Sequence, residues 1–135
     1  MGDSVRVLVA KVGLDGHDRG ARILTNILSA SGMFVYYTGI RKTPVQIAEI
    51  AVENKIDVIA ISILSGGHNH LIPRLIEELC NGGGSEIPVI IGGIIPEKDR
   101  GFLIDLGVKR VFNGSESVSE IIRFITDIGK KQFNR

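Results

Sequence analysis

Val5-Arg6-Val7-Leu8-Val9-Ala10, running into Lys11-Val12-Gly13-Leu14-Asp15-Gly16-His17-Asp18-Arg19-Gly20, is the stretch from which the rest of the 135-residue sequence is read. Its first six positions are almost continuously apolar and β-branched, as a strand buried on most sides requires. The chain then breaks into a polar loop punctuated by Gly13, Gly16 and Gly20. The same succession recurs downstream. Phe34-Val35-Tyr36-Tyr37, Asp57 through Ser62, Pro88-Val89-Ile90-Ile91 and Arg110-Val111-Phe112 read as four further strands.

Segments of helical period separate them. The first carries Ile23, Leu24, Ile27 and Leu28 and stops near Gly32; Thr43, Pro44 and Gln46 spell a capping box ahead of Ile47, Ile50 and Ala51. Leu71, Ile72, Leu75, Ile76 and Leu79 define a third helix, ended by Gly82-Gly83-Gly84. Phe102, Leu103 and Leu106 before Gly107 define a short fourth. Ser117 and Glu120 form a second capping-box pattern ahead of Ile121, Ile122, Phe124, Ile125 and Ile128. Strict alternation of five strands and five helices specifies an α/β fold with right-handed crossovers: a flavodoxin-like, doubly wound, five-stranded parallel sheet of order 2-1-3-4-5. The whole chain, 1–135, reads as a single domain with its core at about 4–128 and a short C-terminal tail from Lys130. In such a sheet ligands bind where strand order reverses, beyond the ends of the first and third strands.

Composition narrows the uses of that crevice. Sixteen Lys+Arg against 15 Asp+Glu leave a net charge of +1, which argues against a nucleic-acid binder, and five Phe with two Tyr offer no base-stacking platform. The lone Cys80 excludes a disulfide framework. No apolar run approaches the roughly 20 residues that span a bilayer, and no signal peptide precedes the first strand, so a cytoplasmic protein without a membrane partner is expected. The loop after the first strand has neither G-x-G-x-x-G nor a Walker-type motif, excluding dinucleotide and P-loop chemistry. A phospho-receiver domain places an Asp where Ser62 ends the third strand.

What the crevice loops do hold is Asp15-x-His17-x-x-Gly20, then Ser62-x-Leu64, then Gly92-Gly93. Singly, each has an ordinary reading. Asp15 is a turn residue, Lys11 a strand-end surface charge, Asp18 the first helix's N-cap, Ser62 a helix cap, Leu64 core and Gly92-Gly93 a tight strand exit. His68-x-His70 alone is a weak metal pattern, and His68 is better placed at a helix start.

Together and in order, the three motifs resemble the cobalamin-binding domain of methylmalonyl-CoA mutase and related acyl-CoA mutases. Val9 through Ala21 follows that family almost residue for residue, and Thr43-Pro44, Leu64 through His68, Gly92 through Pro96 and Leu106-Gly107-Val108 match in sequence. The resemblance implies that His17 is the axial ligand of cobalt, displacing the cofactor's own dimethylbenzimidazole base, and that the freed nucleotide tail inserts beside the sheet. Imidazole suits such a metal. Asp15 is expected to accept a hydrogen bond from the other ring N–H of His17, fixing its tautomer, with Lys11 hydrogen-bonded to Asp15. Ser62 is expected to hydrogen-bond the tail, Leu64 to pack on it and Gly92-Gly93 to make room. Gly16, Asp18, Arg19, Gly20, Ser65, Gly66 and Phe112 complete the expected cofactor-binding set.

One departure stands out. Where the mutases read Phe-Gly-Pro-Gly-Thr, or nearly so, this chain has Phe112-Asn113-Gly114-Ser115-Glu116, with no proline and an acid in place of the hydroxyl; Ser115 and Ser117 are the hydroxyls nearby. The function implied is the cobalamin-binding small subunit of an adenosylcobalamin-dependent acyl-CoA mutase. It has no catalytic residue of its own and pairs with a large acyl-CoA-binding barrel subunit. A corrinoid methyl-carrier protein, which typically adds an N-terminal helical domain, and a sensor or interaction module of the same fold are the rival readings.

Overall fold

The computed structural model describes residues 4–11, 19–39, 42–63, 68–93 and 95–130, without the side chains of Arg19 and His68. The elements alternate as β1 (Arg6–Lys11), α1 (Arg19–Ala30), β2 (Phe34–Tyr37), α2 (Pro44–Glu53), β3 (Val58–Ile63), α3 (His68–Asn81), β4 (Val89–Gly93), α4 (Glu97–Leu106), β5 (Arg110–Phe112) and α5 (Val118–Lys130). All strand pairs are parallel and their order is β2-β1-β3-β4-β5, the doubly wound arrangement expected. Three strands end one or two positions later than the apolar runs alone imply, because Lys11, Ile63 and Gly92-Gly93 still take part in the ladder. Among the described residues no helix is long and apolar enough to cross a membrane.

Side-chain alternation along each strand divides the core into two layers. Leu8, Ala10, Ile59, Ile61, Val89, Ile91 and Val111 face α2, α3 and α4. Val7, Val9, Val58, Ala60, Ile90 and Phe112 face the other way, under Leu28 of α1 and Ile125 of α5. Continuous apolar strands are the consequence of being covered on both faces.

The helix termini follow local chemistry. Thr43 accepts from the Gln46 N–H at 3.2 Å while the Gln46 side chain accepts from the Thr43 N–H at 2.9 Å, with Pro44 at the first helical position. A cap of this kind stabilises a helix by about 1 kcal/mol. Gly107 ends α4 in the left-handed conformation at φ 115°. The second expected capping box forms only by half. Ser117 Oγ accepts from the Glu120 N–H at 3.1 Å, but the Glu120 carboxylate is drawn away to Arg110. Two residues expected in the core are also displaced. Ile23 of α1 is 48% exposed and Phe102 of α4 is 45% exposed, each lying off its helix's buried stripe.

Both flanks of the sheet carry an arginine over an aromatic ring. The Arg6 guanidinium lies 4.1 Å from the Phe34 ring centroid beside edge strand β2, and Arg110 lies 4.6 Å from that of Phe112 in edge strand β5.

Gly92 and Gly93 have different tasks. Gly93 has φ 144°, and a Cβ there would stand 1.8 Å from the Ile63 carbonyl oxygen; a Cβ on Gly92 would meet nothing within 4 Å. Replacing Gly93 by Ala therefore has to break the β3–β4 approach and is expected to destabilise the chain by about 3 kcal/mol or more. Gly92→Ala is expected to leave the denaturation midpoint close to that of the parent. Equal midpoints for the two variants in a urea titration would refute this division.

Candidate functional site

The strand register sets four sequence-selected residues in a line. Lys11 pairs with Ser62, Ser62 with Gly92, and Gly92 with Phe112, so one row crosses β1, β3, β4 and β5 near their C-terminal ends. Residues in one row of a parallel sheet share a face. Lys11, expected from its position alone to be a surface charge, is fully buried.

Ala60, Ser62 and Gly92 carry little bulk, so the α1/α5 layer cannot close against the sheet there. The result is a cavity of about 250 Å³ on that face. Ala60, Ser62, Ile90, Gly92 and Phe112 floor it, Gly20 and Leu24 of α1 and Ile121 and Ile125 of α5 wall it, and Gly114 and Glu116 from the turn after β5 complete the lining. It is larger than the roughly 150 Å³ apolar cavity that accommodates benzene. A Cβ on Gly20, like one on Gly92, would meet open space, so at these two positions glycine widens the groove.

The wall at Phe112 is braced. Its ring meets Phe124 edge-on at 5.8 Å between centroids, and the Arg110 guanidinium covers both rings while pairing with Glu120. Beyond Phe112 the chain turns toward α5. Gly114, at φ 98°, supplies the left-handed residue of this turn. The half-buried Glu116 Oε1 accepts the N–H groups of Asn113 at 3.2 Å and Gly114 at 3.1 Å, and Asn113 Oδ1 accepts from the Ser115 N–H and hydroxyl. Partial desolvation pushes the Glu116 pKa up, but hydrogen bonds from the backbones of Glu116, Asn113 and Gly114, with the Arg110 charge, outweigh it and bring it below the ordinary 4.5.

Of the residues selected from sequence, Gly20, Ser62, Gly92, Gly93 and Phe112 border this cavity, and Lys11 stands in their register row. Ser62 belongs to a strand and caps no helix; His68 does open α3. Asp15, Gly16, His17, Asp18, Leu64, Ser65 and Gly66 lie outside the described residues, as does the Arg19 side chain. Sequence reasoning assigned Leu24, Ile121 and Ile125 to helix packing only; their contribution to the groove needs the three-dimensional seam between α1 and α5. Glu116 did carry a signal, as an acid in a loop where related sequences place a hydroxyl.

The B12 binding domain family model matches residues 5–122. The chain is 41% identical over 127 residues to the pivalyl-CoA mutase small subunit of Xanthobacter autotrophicus, spanning 94% of this chain and 85% of that one. It is 39% identical over 107 residues to the 2-hydroxyisobutanoyl-CoA mutase small subunit of Aquincola tertiaricarbonis, spanning 79% of each. A solved cobalamin-binding protein from Desulfitobacterium hafniense shares the fold with a TM-score of 0.78 at 20% identity, over 93% of this chain and 59% of that one.

The Glu116 turn has a pH signature. A carboxylate whose folded pKa is lowered stabilises the fold fully above its ordinary value and loses that contribution as the pH falls through the lower, folded value. In an NMR titration the Glu116 carboxyl carbon is expected to titrate below 4.5, with the Gly114 amide proton following the same midpoint. A midpoint at or above that value, with Gly114 unmoved, would show that these hydrogen bonds are not made.

Proposed function

The chain belongs to the B12-binding domain family, and we propose that it is the cobalamin-binding small subunit of a heteromeric, adenosylcobalamin-dependent acyl-CoA mutase. The observation that carries this reading is the apolar groove beside the Lys11–Ser62–Gly92–Phe112 row. Its place in a chain that is similar to two mutase small subunits over most of their length supports it further.

The residues present fit such a cofactor. The groove's apolar walls, and the space that Gly20 and Gly92 leave where other residues would place a Cβ, suit a displaced nucleotide tail with an aromatic base. Adenosylcobalamin, when bound, supplies the radical chemistry of carbon-skeleton isomerisation. The chain's part is binding and orientation. His17, on the segment between β1 and α1, offers an imidazole nitrogen to the metal. Asp15, two positions before it, would accept a hydrogen bond from the other ring N–H, which fixes the tautomer and raises the basicity of the ligating nitrogen. Lys11 supports the carboxylate of Asp15 from the end of β1. Gly16, Asp18, Arg19, Leu64, Ser65 and Gly66 border the cofactor on the two adjoining segments, while Ser62 and Phe112 contact the tail.

The partner is a large, acyl-CoA-binding barrel subunit that holds the substrate and sets its identity, the cofactor lying between the two. The chain acts as a single domain with its core at about 4–128, in the cytoplasm, and engages neither nucleic acid nor membrane.

Mixing the purified chain with adenosylcobalamin is expected to give a base-off, histidine-ligated absorption spectrum, and His17→Ala to abolish the histidine signature. Spectra of parent and variant that both match free cofactor would defeat the proposal. A bulkier probe tests the groove itself. Gly92→Val projects its side chain into open space, so it is expected to keep the circular dichroism of the parent yet bind adenosylcobalamin at least about tenfold more weakly, about 1.4 kcal/mol.

A further inference from the structure

Part of the groove's lining is a turn whose chemistry is separate from its apolar walls. β5 is only three residues long, and between its last residue, Phe112, and the start of α5 at Val118 the chain reverses over five residues. Exposed turns of this kind leave backbone N–H groups to water unless a side chain collects them. Here one carboxylate oxygen of Glu116 collects two, from Asn113 and Gly114. Gly114 and Glu116 themselves line the groove, and Glu116 is the one charged residue among the described lining. The same carboxylate therefore ties the turn and forms the surface a ligand meets.

Resting on the cobalamin reading above, we propose that Glu116 is a positioning residue for the cofactor's nucleotide arm: by fastening the β5–α5 turn through Asn113 and Gly114, it fixes the part of the groove lining that this turn supplies. The assignment follows from three features found together. Gly114 holds a left-handed φ of 98° and so has no side chain with which to brace the turn. Asn113 Oδ1 is engaged with Ser115, so it does not substitute for the carboxylate. Arg110, which lies over the Phe112 ring, adds a favourable charge that keeps the carboxylate ionised as an acceptor. An ionised oxygen accepting two N–H groups makes a stronger tie than a neutral hydroxyl.

The test compares the parent chain with Glu116→Ala and Glu116→Gln, titrating each with adenosylcobalamin and with cobinamide, a corrinoid that lacks the nucleotide arm. Glu116→Ala is expected to weaken adenosylcobalamin about tenfold, the loss of roughly one charge-assisted hydrogen bond, and to leave cobinamide unchanged. Glu116→Gln, whose amide oxygen accepts the same two N–H groups without the charge, is expected to recover part of the affinity and to lie between Glu116→Ala and the parent. Glu116→Ala, which loses the ties of an exposed turn, is expected to melt no more than about 5 °C below the parent and Glu116→Gln closer to it, each in one cooperative transition, which is the control for folding. Unchanged adenosylcobalamin binding by Glu116→Ala, or an equal loss with both corrinoids, overturns the assignment. A parent chain that takes up no adenosylcobalamin overturns the cobalamin reading itself.

Discussion

A sheet face that lacks bulk at one end is the constraint on which the rest of the molecule depends. Helices α1 and α5 close down on Val7, Val9 and Val58 as two helices on a sheet normally do. They cannot close at Ala60, Ser62 and Gly92, and the gap becomes the groove. Interiors pack tightly because each void forfeits dispersion contacts. A gap of this size, walled by Leu24, Ile121 and Ile125, forgoes such contacts along the whole seam between α1 and α5.

The braced side of the groove shows how the fold accommodates that gap. Phe112 needs a fixed ring to act as a wall, and it receives one from the edge-on contact with Phe124 and the covering guanidinium of Arg110. Arg110 in turn takes the carboxylate of Glu120, which leaves the N-terminus of α5 with half of its capping box. A local helix preference thus yields to a contact between neighbouring elements, and the loss at the cap is about 1 kcal/mol at most.

Much of this was legible in the sequence, for identifiable reasons. Strand order, helix positions and the Thr43 cap follow from local periodicity and capping chemistry, which are properties of short segments. The motif residues Ser62, Gly92 and Phe112 were selected individually, but that they form one row is a property of register, which no single segment encodes. The Gly92-Gly93 pair could not be divided from sequence at all. Only the distance from Gly93 to the Ile63 carbonyl separates a glycine needed by the backbone from one that makes space. Ile23 and Phe102 were misplaced for a similar reason. Apolar period marks a stripe, and how wide a stripe the neighbours cover is decided by packing.

The arginines over Phe34 and Phe112 have a bearing on how the molecule behaves among its own copies. An open sheet ends in unpaired backbone groups on both sides, and these can template the addition of another chain. Here β2 offers four residues and β5 three, each beside a cation lying on an aromatic ring. An incoming strand would gain only a few ladder bonds at either margin. Aggregation by edge-to-edge growth is discouraged at both margins, which leaves association to surfaces formed by side chains.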